Sequence, residues 1–253
     1  MSAIARSTLS NLAGMTRTAT EFDWRDHEGV LFDLDGVITP TASIHRYAWS
    51  ELFADFDFTD ADYLQYIDGK PRYDGVRSFL RSRRVELPEG DPSDPPGDAT
   101  VCAMGNHKNV LFNRILDRDG IAPFPGSAAV LDQLDRLGVP AAIVSSSKNA
   151  RHVLNAAGLG ERFDVVVDGV VAAERHIVGK PAPDMYLHAA AELGVAPDRS
   201  VVVEDAESGV AAGAAGGFDV VIGVDRGAGH GTLVQHGATF VVDDLAELAG
   251  GAA

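Results

Sequence analysis

The stretch Gly29-Val30-Leu31-Phe32-Asp33-Leu34-Asp35-Gly36 decides the fold. A short run that is apolar throughout, without alternation, reads as a strand covered on both faces, the habit of parallel sheets. Two carboxylates two residues apart point to the same side if the strand continues. Gly36 then lets the chain turn sharply away. In open parallel sheets, ligands bind beyond the carboxyl ends of the strands. Asp and Gly are also ordinary turn residues, so the motif alone leaves a plain loop and a functional strand end both open.

Similar apolar, β-branched runs recur at 141–145, 164–167, 201–204, 220–224 and 240–242. Helical patterning separates them at 127–137, 150–157, 184–193 and 208–215, with Gly138, Gly158 and Gly194 where C-caps are expected. This alternation predicts a doubly wound, Rossmann-like parallel α/β core. From 41 to 118 the rhythm breaks: there is no buried parallel strand, but helical stretches at 43–53, 59–66, 74–83 and 109–116, with a Pro/Gly/Asp-rich loop at 86–100. The expected organisation is an N-terminal extension at 1–26, an α/β core formed by 27–40 and 119–253, and an inserted helical domain at 41–118. Pro40 and residues 121–126 lie near its two hinges.

The chain has 253 residues and a formal charge of −16, which argues against a nucleic-acid partner. No apolar run is long enough for a membrane span, and the first twenty residues lack the apolar stretch of a signal peptide. The single cysteine, Cys102, fits a reducing cytoplasm and reads as a small buried residue. An acidic protein that handles an anion must concentrate its few cations in one place.

Two further strand ends and one helix start carry chemistry. Glu204-Asp205 closes Val201-Val202-Val203, so four carboxylates are expected at one sheet edge. They would raise one another's pKa unless a cation were present, and oxygen-only ligands beside a phosphate point to Mg2+. Ser145-Ser146-Ser147-Lys148-Asn149 offers hydroxyls and N–H groups opening a helix, which suits an anion site. The same residues suit a helix N-cap, and one serine can cap while another binds. In Gly179-Lys180-Pro181-Ala182-Pro183-Asp184, a lysine is held before a proline-started helix.

These four elements, in this order, resemble the haloacid dehalogenase superfamily. The resemblance implies that Asp33 is a nucleophile that becomes phosphorylated and that Asp35 is its general acid and base. It implies Mg2+ bound by Asp33, the Asp35 backbone carbonyl and Asp205, with Glu204 assisting, and Ser145 and Lys180 on the transferring phosphoryl group. The helical insertion is similar to the superfamily's mobile cap.

Within the superfamily the chain is similar to the β-phosphoglucomutases over nearly all of 29–245. The run Phe32–Thr39 followed by Thr41, His45 and Trp49 resembles that subfamily's first motif and cap entry. Thr41 and His45 would orient Asp35. Ser145, Ser147, Lys148 and Asn149 resemble its Ser-x-Ser-Lys-Asn loop. Asp68-Gly69-Lys70-Pro71-Arg72 resembles its Lys-Gly-x-x-Arg segment, which implies Gly69 and Arg72 on substrate, with Arg72 clamping the non-transferring phosphate. Lys108-Asn109 resembles a further cap pair near the same phosphate. Pro40, Asp68 and Ala206 depart from the subfamily pattern. The implied activity is interconversion of β-D-glucose 1-phosphate and glucose 6-phosphate, with glucose 1,6-bisphosphate as activator and intermediate. The alternative on the same fold is a sugar-phosphate phosphatase that uses water as acceptor. The expected partner is a small phosphorylated sugar, and the expected state is a cytoplasmic monomer.

Overall fold

The computed structural model describes residues 18–67 and 70–250. Six strands form one sheet: β1 (Gly29–Phe32), β2 (Ala141–Val144), β3 (Val165–Val167), β4 (Ser200–Glu204), β5 (Val220–Val224) and β6 (Phe240–Val242). Their order is β3-β2-β1-β4-β5-β6, and every pairing is parallel. The chain fills one side of β1 with β2 and β3, then crosses back to lay β4 on the other side. The topological switch therefore lies between the carboxyl ends of β1 and β4, where a crevice must open.

Both faces of the strands are buried, which is why their sequences are apolar throughout. Val30 and Phe32 of β1 join Val201 and Val203 of β4 in one cluster, while Leu31 and Val202 join the cluster on the opposite face. The first face is covered by α5 (Pro125–Leu137) and α6 (Ala150–Ala156), and the second by α8 (Asp184–Leu193) and α9 (Glu207–Ala215). Two short helices complete the core, α7 (Gly169–Arg175) and α10 (His230–Gln235). Asp168 caps α7 by accepting hydrogen bonds from the Val170 and Val171 N–H groups.

Between β1 and α5 run α1 (Thr41–Leu52), the single turn α2 (Asp60–Asp62) leading into a π-helical segment Tyr63–Ile67, α3 (Arg72–Ser82) and α4 (Val101–Asp119). Among the described residues this region contains no strand. It has its own apolar cluster, centred on Trp49, Phe53, Phe79 and Met104. The Phe53 and Phe79 rings are 4.1 Å apart. The ends of α1 and α4 nearest the sheet, with Ile44, Ala48, Phe112 and Leu116, belong to the core cluster instead. The expected helix at 109–116 is much longer. Thr100 starts it by accepting from the Ala103 N–H, and Gly105 and Asn106, poor helix formers, lie inside it.

Residues 18–26, the described part of the N-terminal extension, pack against the core. Trp24 is fully buried in the core cluster, donates its indole N–H to the Leu248 carbonyl at 3.1 Å, and packs edge-on to Phe22. Among the described residues, no helix is long and apolar enough to cross a membrane.

Phe79 is completely enclosed, so Phe79→Ala leaves a cavity that its aromatic neighbours can only partly fill. Urea denaturation is expected to show a loss of about 3–5 kcal/mol, provided this region unfolds together with the sheet.

Candidate active site

Asp33 leaves β1 at the switch point. Its N–H is fixed by the Val203 carbonyl of β4 at 2.9 Å, which aims the side chain into the crevice. There its Oδ1 accepts from Lys180 Nζ at 2.6 Å. The same ammonium donates to Glu204 Oε1 at 2.6 Å and to the Val144 carbonyl at 2.9 Å. Three acceptors use all three of its N–H bonds. Burial opposes the charge on Lys180, but Asp33 and Glu204 outweigh it and hold its pKa well above the usual lysine range.

Glu204 ends β4 fully buried. Its Oε1 also accepts from the Tyr186 hydroxyl at 3.0 Å, and its Oε2 accepts the N–H groups of Asp205 and Ala206 at 3.0 and 3.1 Å. Both oxygens are thus committed to protein donors, and Glu204 stands behind the site orienting Lys180. Gly209 lies flush on this carboxylate: a Cβ there would sit 1.6 Å from Oε1. The Ala206 position, which cannot cap α9 with a side chain, donates its N–H to Glu204 instead.

After Asp33 the chain folds over. Gly36 adopts φ +91°, and a Cβ there would lie 2.0 Å from Asp205 Oδ2, so only glycine permits this approach. Arg226 donates Nε–H to the Gly36 carbonyl at 2.9 Å and stacks 3.9 Å from the Phe124 ring centroid. Asp35 is thereby held where its Oδ1 accepts from Thr41 Oγ1 at 2.5 Å and its Oδ2 from Ser145 Oγ at 3.4 Å. Burial raises the Asp35 pKa, while the two hydroxyls moderate the rise.

Oxygens of Asp33, Glu204 and Asp205 lie within 4.8 Å of one another. Burial, chiefly, raises the Asp33 carboxyl well above its usual range despite Lys180, and pushes Asp205 up to about 8, with Glu204 adding to the effect. More negative charge converges here than one ammonium balances. A hard divalent cation on Asp33 and Asp205 oxygens relieves that imbalance, so the donor set fits Mg2+.

The other predicted residues fall into two groups. In the loop after β2, Ser145 Oγ accepts from the Ser147 N–H at 3.1 Å, and Ser147 Oγ from the Asn149 N–H at 3.1 Å. Serine hydroxyls therefore shape the start of α6, and the Asn149 side chain does not cap it. Instead its Nδ2 donates to Asn109 Oδ1 of α4 at 2.8 Å. Lys148 is exposed.

In the helical region, His45, expected to help orient Asp35, has Lys108 as its hydrogen-bond partner. Its Nδ1 is 2.5 Å from Lys108 Nζ, and its ring stacks on Phe112. Burial, then Lys108, lowers the His45 pKa well below normal, so the ring is neutral and Nδ1 accepts. Lys108 is buried between the Trp49 and Phe112 rings. Arg72 is partly buried, and burial lowers its pKa as well. Among the described residues, neither cation makes an ion pair with a carboxylate. Gly69 and Asp68 lie outside the described residues.

Tyr186, Gly209 and Arg226 shape the site and have no motif of their own. Gly209 was the one with a signal, as a small residue just inside the helix that follows the Glu204-Asp205 strand end.

A family model, haloacid dehalogenase-like hydrolase, matches residues 27–217. The chain belongs to the haloacid dehalogenase superfamily. Within it, the relatives are β-phosphoglucomutase-like. A β-phosphoglucomutase of Mycobacterium tuberculosis is 49% identical over 236 residues, covering 86% of this chain and 90% of its own. Hexitol phosphatase A of Escherichia coli is 32% identical, covering 77% and 82%. Among solved structures, a β-phosphoglucomutase from Clostridium difficile superposes with a TM-score of 0.66 at 27% identity, covering 88% of this chain and 93% of its own. The sheet edge of this haloacid dehalogenase fold thus gathers the Asp33, Glu204 and Asp205 carboxylates around Lys180, and the helical region holds two further cations, Lys108 and Arg72.

Burial, then Arg72, lowers the Lys108 ammonium to about 7. The unfolded chain therefore binds more protons than the folded one between about pH 7 and the ordinary lysine pKa, and stability contributed by this site rises with pH across that window. Urea denaturation from about pH 7 to about pH 10 should show wild type gaining on Lys108→Met as pH rises. A difference that stays constant with pH would mean that Lys108 keeps an ordinary pKa.

Proposed function

We propose that this protein is a β-phosphoglucomutase, interconverting β-D-glucose 1-phosphate and glucose 6-phosphate through a phosphorylated Asp33 and a glucose 1,6-bisphosphate intermediate. The observation that carries this is the second cationic seat. Lys108 lies close enough to Asp35 to favour its charged form, and among the described residues neither Arg72 nor Lys108 makes an ion pair with a carboxylate. A monophosphate hydrolase needs one phosphate site, whereas a mutase must hold the transferring and the non-transferring phosphates together. The relationship to the mycobacterial mutase supports the same reading.

In this mechanism the Asp33 carboxylate attacks phosphorus in line with the leaving oxygen. Lys180 and Ser145 receive the phosphoryl oxygens beside Asp33. Asp35, whose raised pKa suits a proton donor, protonates the leaving oxygen. It then removes the proton from the sugar hydroxyl that attacks the aspartyl phosphate. Thr41 fixes Asp35, and because Thr41 opens α1, the position of the acid depends on where the helical region lies. Mg2+, held by Asp33, Asp205 and the Asp35 carbonyl with Glu204 behind them, supplies charge neutralisation for the transferring group. Residues 41–118 act as a cap that excludes water from the aspartyl phosphate, over a core of 27–40 and 119–253. Arg72, with Gly69, Lys108, Ser147, Lys148 and Asn149, receives the non-transferring phosphate, where a guanidinium can bind in a bidentate manner. The bisphosphate then reorients and returns its 1-phosphate to Asp33.

The relationship to hexitol phosphatase A supports a second reading, in which water is the acceptor.

An assay with Mg2+, β-glucose 1-phosphate and catalytic glucose 1,6-bisphosphate, following glucose 6-phosphate and free phosphate together, separates the two. Glucose 6-phosphate with little free phosphate is expected, and Asp33→Asn should abolish it. Arg72→Ala should slow bisphosphate turnover about 10–100-fold. Dominant free phosphate would make water the acceptor.

A further inference from the structure

We propose that Asn106 is a positioning residue that sets the Arg72 guanidinium for the second phosphate, and that the loop between α3 and α4 exists in part to hold Asn106. The inference rests on the role given above to Arg72.

Four hydrogen bonds meet at one amide. Asn106 Oδ1 accepts from the Tyr73 hydroxyl at 2.9 Å and from Arg72 Nη1 at 3.5 Å. Its Nδ2 donates to the carbonyls of Pro92 and Asp94 at 3.1 and 2.9 Å. The side chain therefore has one end on the loop and the other on the first turn of α3. Its neighbour Gly105 completes the seat, because a Cβ there would come within 2.5 Å of the Tyr73 ring and 3.3 Å of Arg72 Cδ. The missing side chain lets the Tyr73 ring and the Arg72 stem lie directly on α4.

The loop is built to keep its shape. Asp94 Oδ2 accepts from Thr100 Oγ1 and from the Asp91 N–H, and the Gly97 N–H is held by the Ala103 carbonyl. Its acids are turned elsewhere: Glu89 pairs with Arg77, and Asp91 accepts from Ser93. An acidic loop thus presents Arg72 with an uncharged amide. A carboxylate in that place would fix the guanidinium equally well but neutralise it, leaving less charge for a phosphate. Neutrality at position 106 and rigidity of the loop are two halves of one device: orientation without loss of charge.

The test measures KM and kcat for glucose 1,6-bisphosphate, with the unfolding midpoint, in Asn106→Leu, Asn106→Asp, Arg72→Ala and the double variant Arg72→Ala/Asn106→Leu. Asn106→Leu keeps the size and removes every hydrogen bond. KM is expected to rise about tenfold with kcat near wild type. Asn106→Asp, which restores an acceptor but adds charge, should raise KM at least as much. The double variant should be no worse than Arg72→Ala, since residues acting through one group are not additive. Unchanged KM in both Asn106 variants, a loss confined to kcat and stability, or additive losses in the double variant would overturn the inference. An Arg72→Ala protein with normal KM would instead remove the reading on which it rests.

Discussion

One ammonium group, Lys180 Nζ, sits where three acceptors meet: the Asp33 carboxylate at the end of β1, the buried Glu204 carboxylate and the Val144 carbonyl that ends β2. Two carboxylates this close repel strongly in a buried site, and removing the cation would leave Asp33 and Glu204 uncompensated, which is far more costly than breaking a surface pair. Much of the local sequence follows from this. Tyr186 lies under the ammonium and donates to the same Glu204 oxygen. The turn after β4 must aim two N–H groups at the other oxygen. Gly209 and Gly36 must lack side chains because the carboxylates of Glu204 and Asp205 fill the space a Cβ would need. The charge comes first, and the small residues around it are consequences.

The candidate site is also shared between two parts of the chain, where a few polar contacts accompany the apolar packing of α1 and α4 onto the core. Thr41 reaches Asp35 from α1, and Asn109 pairs amide to amide with Asn149 across from α4. The two passages between sheet and helices are tied together: the Phe124 N–H donates to the Ile38 carbonyl, and Ser127 Oγ to the Val37 carbonyl. Fixed crossings with polar contacts beyond them suit a hinge. On the proposed mechanism the aspartyl phosphate is protected only while those contacts are made, so the proton donor is completed by the same movement that excludes water.

The core was almost wholly legible in the sequence, because parallel strands buried on both faces leave continuous apolar runs, and each ends at its chemistry. β5 and β6 match their expected bounds, and the others differ by a residue at one end. Less was legible among the helices. α7 is a seven-residue helix rich in valine, and its start depends on one capping aspartate. The expected helical stretch at 59–66 is realised as one α-turn and the π-helical segment Tyr63–Ile67, a winding that the residue pattern does not mark. At the site, Asp33, Asp35, Ser145, Lys180 and the Glu204-Asp205 pair could be read because each follows an apolar run or precedes a proline. Arg226 could not, since it contacts Gly36 from 190 residues away. The pairing of His45 with Lys108 could not be read for a similar reason, since α1 and α4 bring together residues 63 apart in the chain.

A net charge of −16 would seem to disfavour a sugar phosphate, yet the positions of the cations resolve this. Surface charges fade over about 8 Å at physiological salt, while on the proposed mechanism Lys180, Lys108 and Arg72 would act at contact, from buried or partly buried positions. Their burial has a cost that differs between them. Lys180 is balanced by Asp33 and Glu204 and stays charged, whereas Lys108 contacts a neutral imidazole and makes no ion pair with a carboxylate among the described residues, so burial, then Arg72, lowers its ammonium to about 7. A phosphate arriving beside Lys108 favours the ammonium form. On the proposed mechanism that anion is the second phosphate of the substrate, so the ammonium would be held most firmly once substrate is bound.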